Sequence, residues 1–166
     1  MMIVLAWMAL VTAMLPAFLF MRNLPVFLLD WREESIQDPD SPPLKPPAKV
    51  SVLIPARDEE CGIEQCVRHA LASSHVDIEV IVLDDQSSDR TAEIVSKIAD
   101  ETNHLRLISN DHLPMEWNGK QYACHQLAKA ASHENLLFLD ADVKLHPQGI
   151  FRLLQYRDQN QVDLLS

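Results

Sequence analysis

The sequence predicts an α/β domain with a parallel-rich sheet, carried behind an uncharged amino-terminal segment. From Val50 onward, short apolar runs alternate with stretches of helical length and pattern, and several of those runs close on acidic residues. Ahead of them, Met1 to Met21 contains no charged residue.

As a helix that first run would be about 31 Å long, enough for the hydrocarbon core of a bilayer. No Lys or Arg precedes it, and Leu19, Phe20, Met21 and Arg22 follow in place of a small-residue cleavage site. Residues 1–22 therefore predict an uncleaved, single-pass transmembrane anchor and not a signal peptide. Arg22 and Arg32 on its carboxyl side put the rest of the chain in the cytoplasm, at the inner membrane. Residues 23–49 follow as an interfacial segment, with Trp31 at headgroup level, and a linker containing Pro39, Pro42, Pro43, Pro46 and Pro47.

The domain is expected over residues 50–166. Val50 to Ile54 is a first strand, stopped by Pro55, and a charged loop leads to a helix over about Glu60 to Ser73. Ile78 to Leu83 is a second strand ending at Asp84 and Asp85. Ser87 or Ser88 is expected to cap a helix running to about Glu101. Leu105 to Ile108 is a short strand, Asn110 to Asn118 an irregular loop, and Gly119 to Ala131 a helix with a thin apolar face. Leu136 to Leu139, four large apolar residues, predict a strand buried on both faces. A helix to about Arg157 follows Pro147, and Val162 to Leu165 reads as a final strand on which the chain stops, so a fragment is expected.

Composition excludes several functions. The only glycines are Gly62, Gly119 and Gly149, too few and too scattered for a P-loop or a dinucleotide fingerprint. A net charge of -10 with scattered basic residues argues against nucleic acid as a partner. Cys61, Cys66 and Cys124 lack metal-site or redox spacing and read as free structural thiols. The histidines show no ligand-like pairing.

Chemistry concentrates at the strand ends. Asp140 and Asp142 leave a strand on the same face, and two carboxylates so close repel unless a cation lies between them or one is protonated. Hard oxygen ligands suit Mg2+ or Mn2+. An isolated Asp-x-Asp is more often a pair of solvated turn residues, but here Asp58 with Glu59 and Asp84 with Asp85 close two other strands. In a parallel sheet such ends converge on one cleft, although helix capping competes for Asp58 and Asp84.

Val50 to Glu60, Val82 to Asp89, Trp117-Asn118-Gly119-Lys120 and Asp140-Ala141-Asp142 occur in that order, and together they resemble a family 2 glycosyltransferase. The fold implied is GT-A, a Rossmann-like nucleotide-diphospho-sugar transferase architecture, incomplete here. Trp117 to Lys120 and the anchor most resemble the bacterial branch acting on isoprenoid lipids, including hopanoid-associated and carotenoid glycosyltransferases. The resemblance implies a nucleotide-diphospho-sugar donor, UDP-sugar favoured, a lipid acceptor, and Mn2+ or Mg2+. It places Pro55, Arg57 and Glu59 around the nucleoside, Asp85 at the base with Asp84 beside it, and Lys120 near the diphosphate. Asp140 would lie near ribose and metal, and Asp142 would ligate the metal. Lys144 stands where some relatives carry a further glutamine ligand. The general base and the acceptor half are expected beyond Ser166.

Two other functions compete. A haloacid dehalogenase-type phosphatase shares strand-Asp-x-Asp, but Lys144 and the lateness of the motif disfavour it. A membrane-anchored receiver-like or nucleotide-sensing module would need a single phosphoacceptor aspartate, and no use for Arg57 to Glu59.

Overall fold

The computed structural model describes residues 47–110 and 113–164. The expected anchor (residues 1–22) and most of the expected linker lie outside the described residues. Among the described residues no helix is long and apolar enough to cross a membrane.

The elements are β1 (Ala48–Ala56), α1 (Ile63–Leu71), β2 (Val76–Asp84), α2 (Thr91–Ala99), β3 (Leu105–Ser109), α3 (Gly119–Ala130), β4 (Asn135–Phe138) and α4 (Gly149–Asn160). The strands form one sheet in the order β3-β2-β1-β4, with every pairing parallel. β1 starts at Ala48, inside the stretch expected to be linker. Pro55 does not stop it, because Leu53 is the last residue in register with β4 and the missing amide breaks no bond on that side.

Period-two alternation distributes the core between two faces. Val50, Val52 and Ile54 of β1 and Val80 and Val82 of β2 pack with Ile63 and Val67 of α1, Val95 and Ile98 of α2, and Ile150 of α4. Leu53, Ile81 and Leu83 face the other way, onto Ala123 and Leu127 of α3. Each such side chain, once fully buried, contributes about 1.5–3 kcal/mol, so both helical layers are tied to the sheet mainly by apolar area.

Three further expectations change. β4 lies at the edge of the described sheet, and α3 alone covers its side of that sheet. Leu136 and Phe138 are therefore 42% and 47% exposed instead of buried. Ser87 and Ser88 do not cap α2; its Thr91 amide donates to Asp89 at 2.9 Å, and the serines reach across to the loop after β1. No strand forms among the described residues from Val162 onward. α4 runs to Asn160, Gln161 closes it in the left-handed region, and Leu164 is 86% exposed.

Candidate functional site

The parallel topology puts the loops after β1, β2 and β4 on the same edge of the sheet, the carboxyl edge. Two of these loops are clamped together. The amides of Asp58, Glu59 and Glu60 donate to Ser87 Oγ, Thr91 Oγ1 and Asp89 Oδ2 at 3.0, 2.8 and 3.0 Å. In return Asp58 accepts from the Ser88 amide at 2.7 Å, from a backbone with φ of 54° that Asp tolerates better than most residues. Asp58 is therefore a latch. The clamp leaves Arg57 and Glu59 in the wall of a cleft of about 470 Å³.

Seven of the residues assigned to the site from sequence line that cleft: Pro55, Arg57, Glu59, Asp85, Lys120, Asp140 and Asp142. Asp84 is not among them. It lies on the face of Val80 and Val82, 8% exposed, and its Oδ1 has no hydrogen-bond partner among the described residues. Asp84 is the last residue of β2 and keeps to that face, while Asp85 lies just past the strand end in the cleft wall, so the side-by-side pairing expected of them is not formed; Asp140 and Asp142 both reach the cleft from the turn after β4, not as same-face residues of the strand.

Asp85 sits near the cleft floor. Asn110 Nδ2 donates to it at 3.3 Å and an Arg57 guanidinium nitrogen lies 3.9 Å away, which leaves acceptor capacity unused among the described residues. A Cβ on Gly119 would come within 3.1 Å of Asp85 Oδ2, so any larger residue at the start of α3 would push this carboxylate aside by a few tenths of an ångström. Asn118 caps α3 by accepting from the Lys120 amide at 3.1 Å. One turn inside the cleft, the Lys120 ammonium donates to Asp140 Oδ1 at 2.8 Å. That bond, with the Asp140 charge, raises the lysine pKa above its ordinary value.

The turn from Asp140 to Asp142 rests on α1. Cys66, 1% exposed, directs its thiol at the Asp140 carbonyl at 3.5 Å, and a Cβ on Gly62 would meet the Ala141 carbonyl at 3.4 Å. Burial pushes the Cys66 thiol up to about 11, helped by the charges of Asp142, Asp140 and Glu59. It stays protonated and inert at neutral pH. Sequence reasoning missed Asn118, Gly119 and Ala123 as wall residues. For the first two the signal was present: a capping Asn and one of three glycines directly before Lys120.

Asp140 and Asp142 fit a hard divalent cation, being exposed carboxylates in one cleft. Among the described residues no group of three or more His, Cys, Asp or Glu side chains is arranged to hold a metal. A cation here would take its remaining ligands from substrate oxygens and water.

A family model described as Glycosyl transferase family 2 matches residues 51–166. The chain belongs to this family. It is 37% identical over 119 residues to 4,4'-diaponeurosporenoate glycosyltransferase of Staphylococcus haemolyticus, covering 70% of this chain and 31% of that one. The Staphylococcus aureus (strain USA300) protein of the same name is 32% identical over 126 residues, covering 70% and 30%. This glycosyltransferase family 2 chain thus spans about a third of the length of the curated relatives it matches. Among solved structures, a mannosyltransferase from Pyrobaculum calidifontis in complex with GDP-Man and Mn2+ superposes with a TM-score of 0.64 at 22% identity, covering 90% of this chain and 42% of that one. Glucosyl-3-phosphoglycerate synthase from Mycobacterium tuberculosis, with Mn2+, UDP and glucosyl-3-phosphoglycerate, gives a TM-score of 0.52 at 27% identity, covering 65% and 39%. The GT-A architecture expected from the motifs is the one the sheet and these neighbours share.

Proposed function

We propose that this chain binds the donor of a glycosyltransferase, a nucleoside-diphosphate sugar with UDP-sugar favoured, and serves transfer of the sugar to an apolar, isoprenoid-type acceptor at a membrane. The observation that carries the reading is the convergence of Arg57, Asp85, Lys120, Asp140 and Asp142 on one cleft at the carboxyl edge of the sheet. The two staphylococcal relatives, named for a carotenoid-type acceptor, support the acceptor class. Attachment through residues 1–22 at the inner membrane, with the domain on the cytoplasmic side, is part of the same proposal.

Each cleft residue has work to do on such a donor. Asp85, with its unused acceptor capacity, takes an N–H from the base, while Arg57 and Asn110 keep the carboxylate in place. Pro55 and Glu59 shape the nucleoside wall. Lys120 neutralises Asp140 in the structure, and the same ammonium is placed to meet a diphosphate oxygen when donor enters. Asp140 and Asp142 would hold Mn2+ or Mg2+, which when bound offsets the charge that develops on a departing diphosphate. Without positive charge from these groups an acidic cleft repels its own substrate.

Calorimetric titration of the chain with UDP and with GDP, each with and without Mn2+, tests this reading. The expected result is UDP binding that requires Mn2+ and is lost in Asp142→Ala. A folded chain that binds neither nucleotide, or an Asp142→Ala variant that binds as tightly as the parent, sinks it.

A further inference from the structure

Leu113, Met115 and Trp117 alternate through the segment that leads directly into the cleft wall at Asn118, Gly119 and Lys120. All three are exposed, at 39%, 103% and 40%. The segment is nevertheless shaped: the Trp117 amide donates to the Pro114 carbonyl at 3.1 Å, closing a tight turn. The indole stacks on His125 with centroids 5.0 Å apart, and Tyr122 meets it edge-on at 5.6 Å. Helix α3 therefore holds Trp117 in place while much of the residue stays open.

Single exposed apolar side chains need no explanation, but three within one short turn at the mouth of a cleft form a patch. Neither the cleft nor the cavity lined by Arg68, Asp77 and His104 takes them into its walls. A groove for a lipid tail would enclose them; a planar apolar boundary would leave them projecting, as Met115 does. Charge narrows the kind of boundary. Between Arg106 and Lys120 the sequence has no Lys or Arg and carries Asp111 and Glu116, so attraction to an anionic surface is absent. Indole rings favour the boundary between water and hydrocarbon, and the uncharged run from Met1 to Met21, as the anchor proposed above, would bring a bilayer within reach of the same chain.

We propose that Leu113, Met115 and Trp117 form an interfacial lip that seats the mouth of the donor cleft against a zwitterionic phospholipid bilayer. This rests on the membrane-attached reading given under Proposed function and adds which surface of the domain faces the lipid. An acceptor dissolved in the bilayer then meets the cleft at its rim without crossing water.

The test uses the full chain reconstituted into phosphatidylcholine vesicles that contain lipid brominated just below the headgroup. In a variant carrying Trp7→Phe and Trp31→Phe, Trp117 alone emits. Its fluorescence is expected to fall by about half or more against unbrominated vesicles, as for a side chain seated a few ångströms into the interface. Adding Leu113→Ser and Met115→Ser should restore most of the emission while Mn2+-dependent UDP affinity stays within about twofold, since neither residue lines the cleft. Trp117 emission indifferent to brominated lipid overturns the lip, and so does quenching that appears only when anionic lipid is added. A companion variant emitting from Trp7 alone separates the failures. Quenched Trp7 beside unquenched Trp117 removes the lip and leaves the anchor; neither quenched removes both, and UDP titration reports on the donor site independently of either.

Discussion

Glu79 and Asp85 are both acids of β2 or its immediate end, six residues apart, yet the fold treats them oppositely. Glu79 is saturated by protein: it accepts from Ser51 Oγ at 2.6 Å, from Ser132 through both amide and hydroxyl, and from Arg106 at 3.0 Å. Ser51 in turn accepts from the His133 amide, and Arg106 also donates to the Ala130 carbonyl. One carboxylate thus fastens β1, β3 and the connection between α3 and β4. Among the described residues Asp85, at the carboxyl edge, has one long hydrogen bond and a guanidinium at 3.9 Å. A carboxylate whose lone pairs are all taken can only hold a fold together, whereas one left short of donors is ready for a ligand.

The largest effect should come from cutting the saturated network. Glu79→Ala leaves Ser51, Ser132 and Arg106 without their common acceptor and is expected to cost about 3 kcal/mol in chemical denaturation. Mn2+-dependent UDP affinity of the folded fraction should be unchanged. A cost equal to that of an ordinary surface substitution would end the contrast with Asp85.

Acid sharpens it. Burial raises the Glu79 pKa, but the hydrogen bonds from Ser51, Ser132 and Arg106 together outweigh that and hold it down from 4.5 to about 2. A folded-state pKa below the unfolded value stabilises fully above the unfolded one and less as pH falls through the window between them. The advantage of the parent protein over Glu79→Gln should therefore shrink, by on the order of 2 kcal/mol after allowing for solvent access, between about pH 5 and pH 2. Urea titrations of both proteins across that range check it; a constant difference would show that the network is not what holds the carboxyl down.

At the cleft the expected effect is on binding instead. Gly119→Ala should leave stability unchanged or raise it by up to about 1 kcal/mol through helix propensity. The added methyl crowds Asp85 Oδ2, and UDP affinity should fall about tenfold, near 1.4 kcal/mol. Unchanged affinity would mean that Asp85 does not hold the base where proposed. The smallest effect belongs to exposed pairs such as Lys97 with Glu93, 2.6 Å apart and one helical turn from each other. Lys97→Ala should leave the urea unfolding midpoint indistinguishable from that of the parent, and a clear shift would show that α2 depends on more than its buried face.

Much of this was legible in the chain. The order of elements followed from runs such as Val80 to Leu83, because burial on two faces writes itself locally as consecutive apolar residues. Seven of the eight assigned site residues line the cleft because parallel connections return every strand end to one edge. Asp84 does not line the cleft, because it ends β2 on the face of Val80 and Val82 while the chain turns into the cleft only at Asp85. The burial of β4 was misjudged because apolar composition does not reveal whether a strand lies inside a sheet or at its edge.

By itself the sequence determined the strand-helix alternation, the clustering of acids just past the strand ends, and the family to which the motifs belong. Those are properties of short stretches, set by side-chain period and by the acids that end each strand. The same-face strand spacing expected of Asp140 and Asp142 is not what unites them, because β4 stops at Phe138 and both lie in the turn after it. The tertiary structure decided which acid is a latch, which is saturated and which is ion-paired: Asp58 against Ser88, Glu79 against Ser132, and Asp140 against Lys120. These partners lie 20 to 53 residues apart in the chain, and only closing the sheet brings their donors and acceptors within bonding distance.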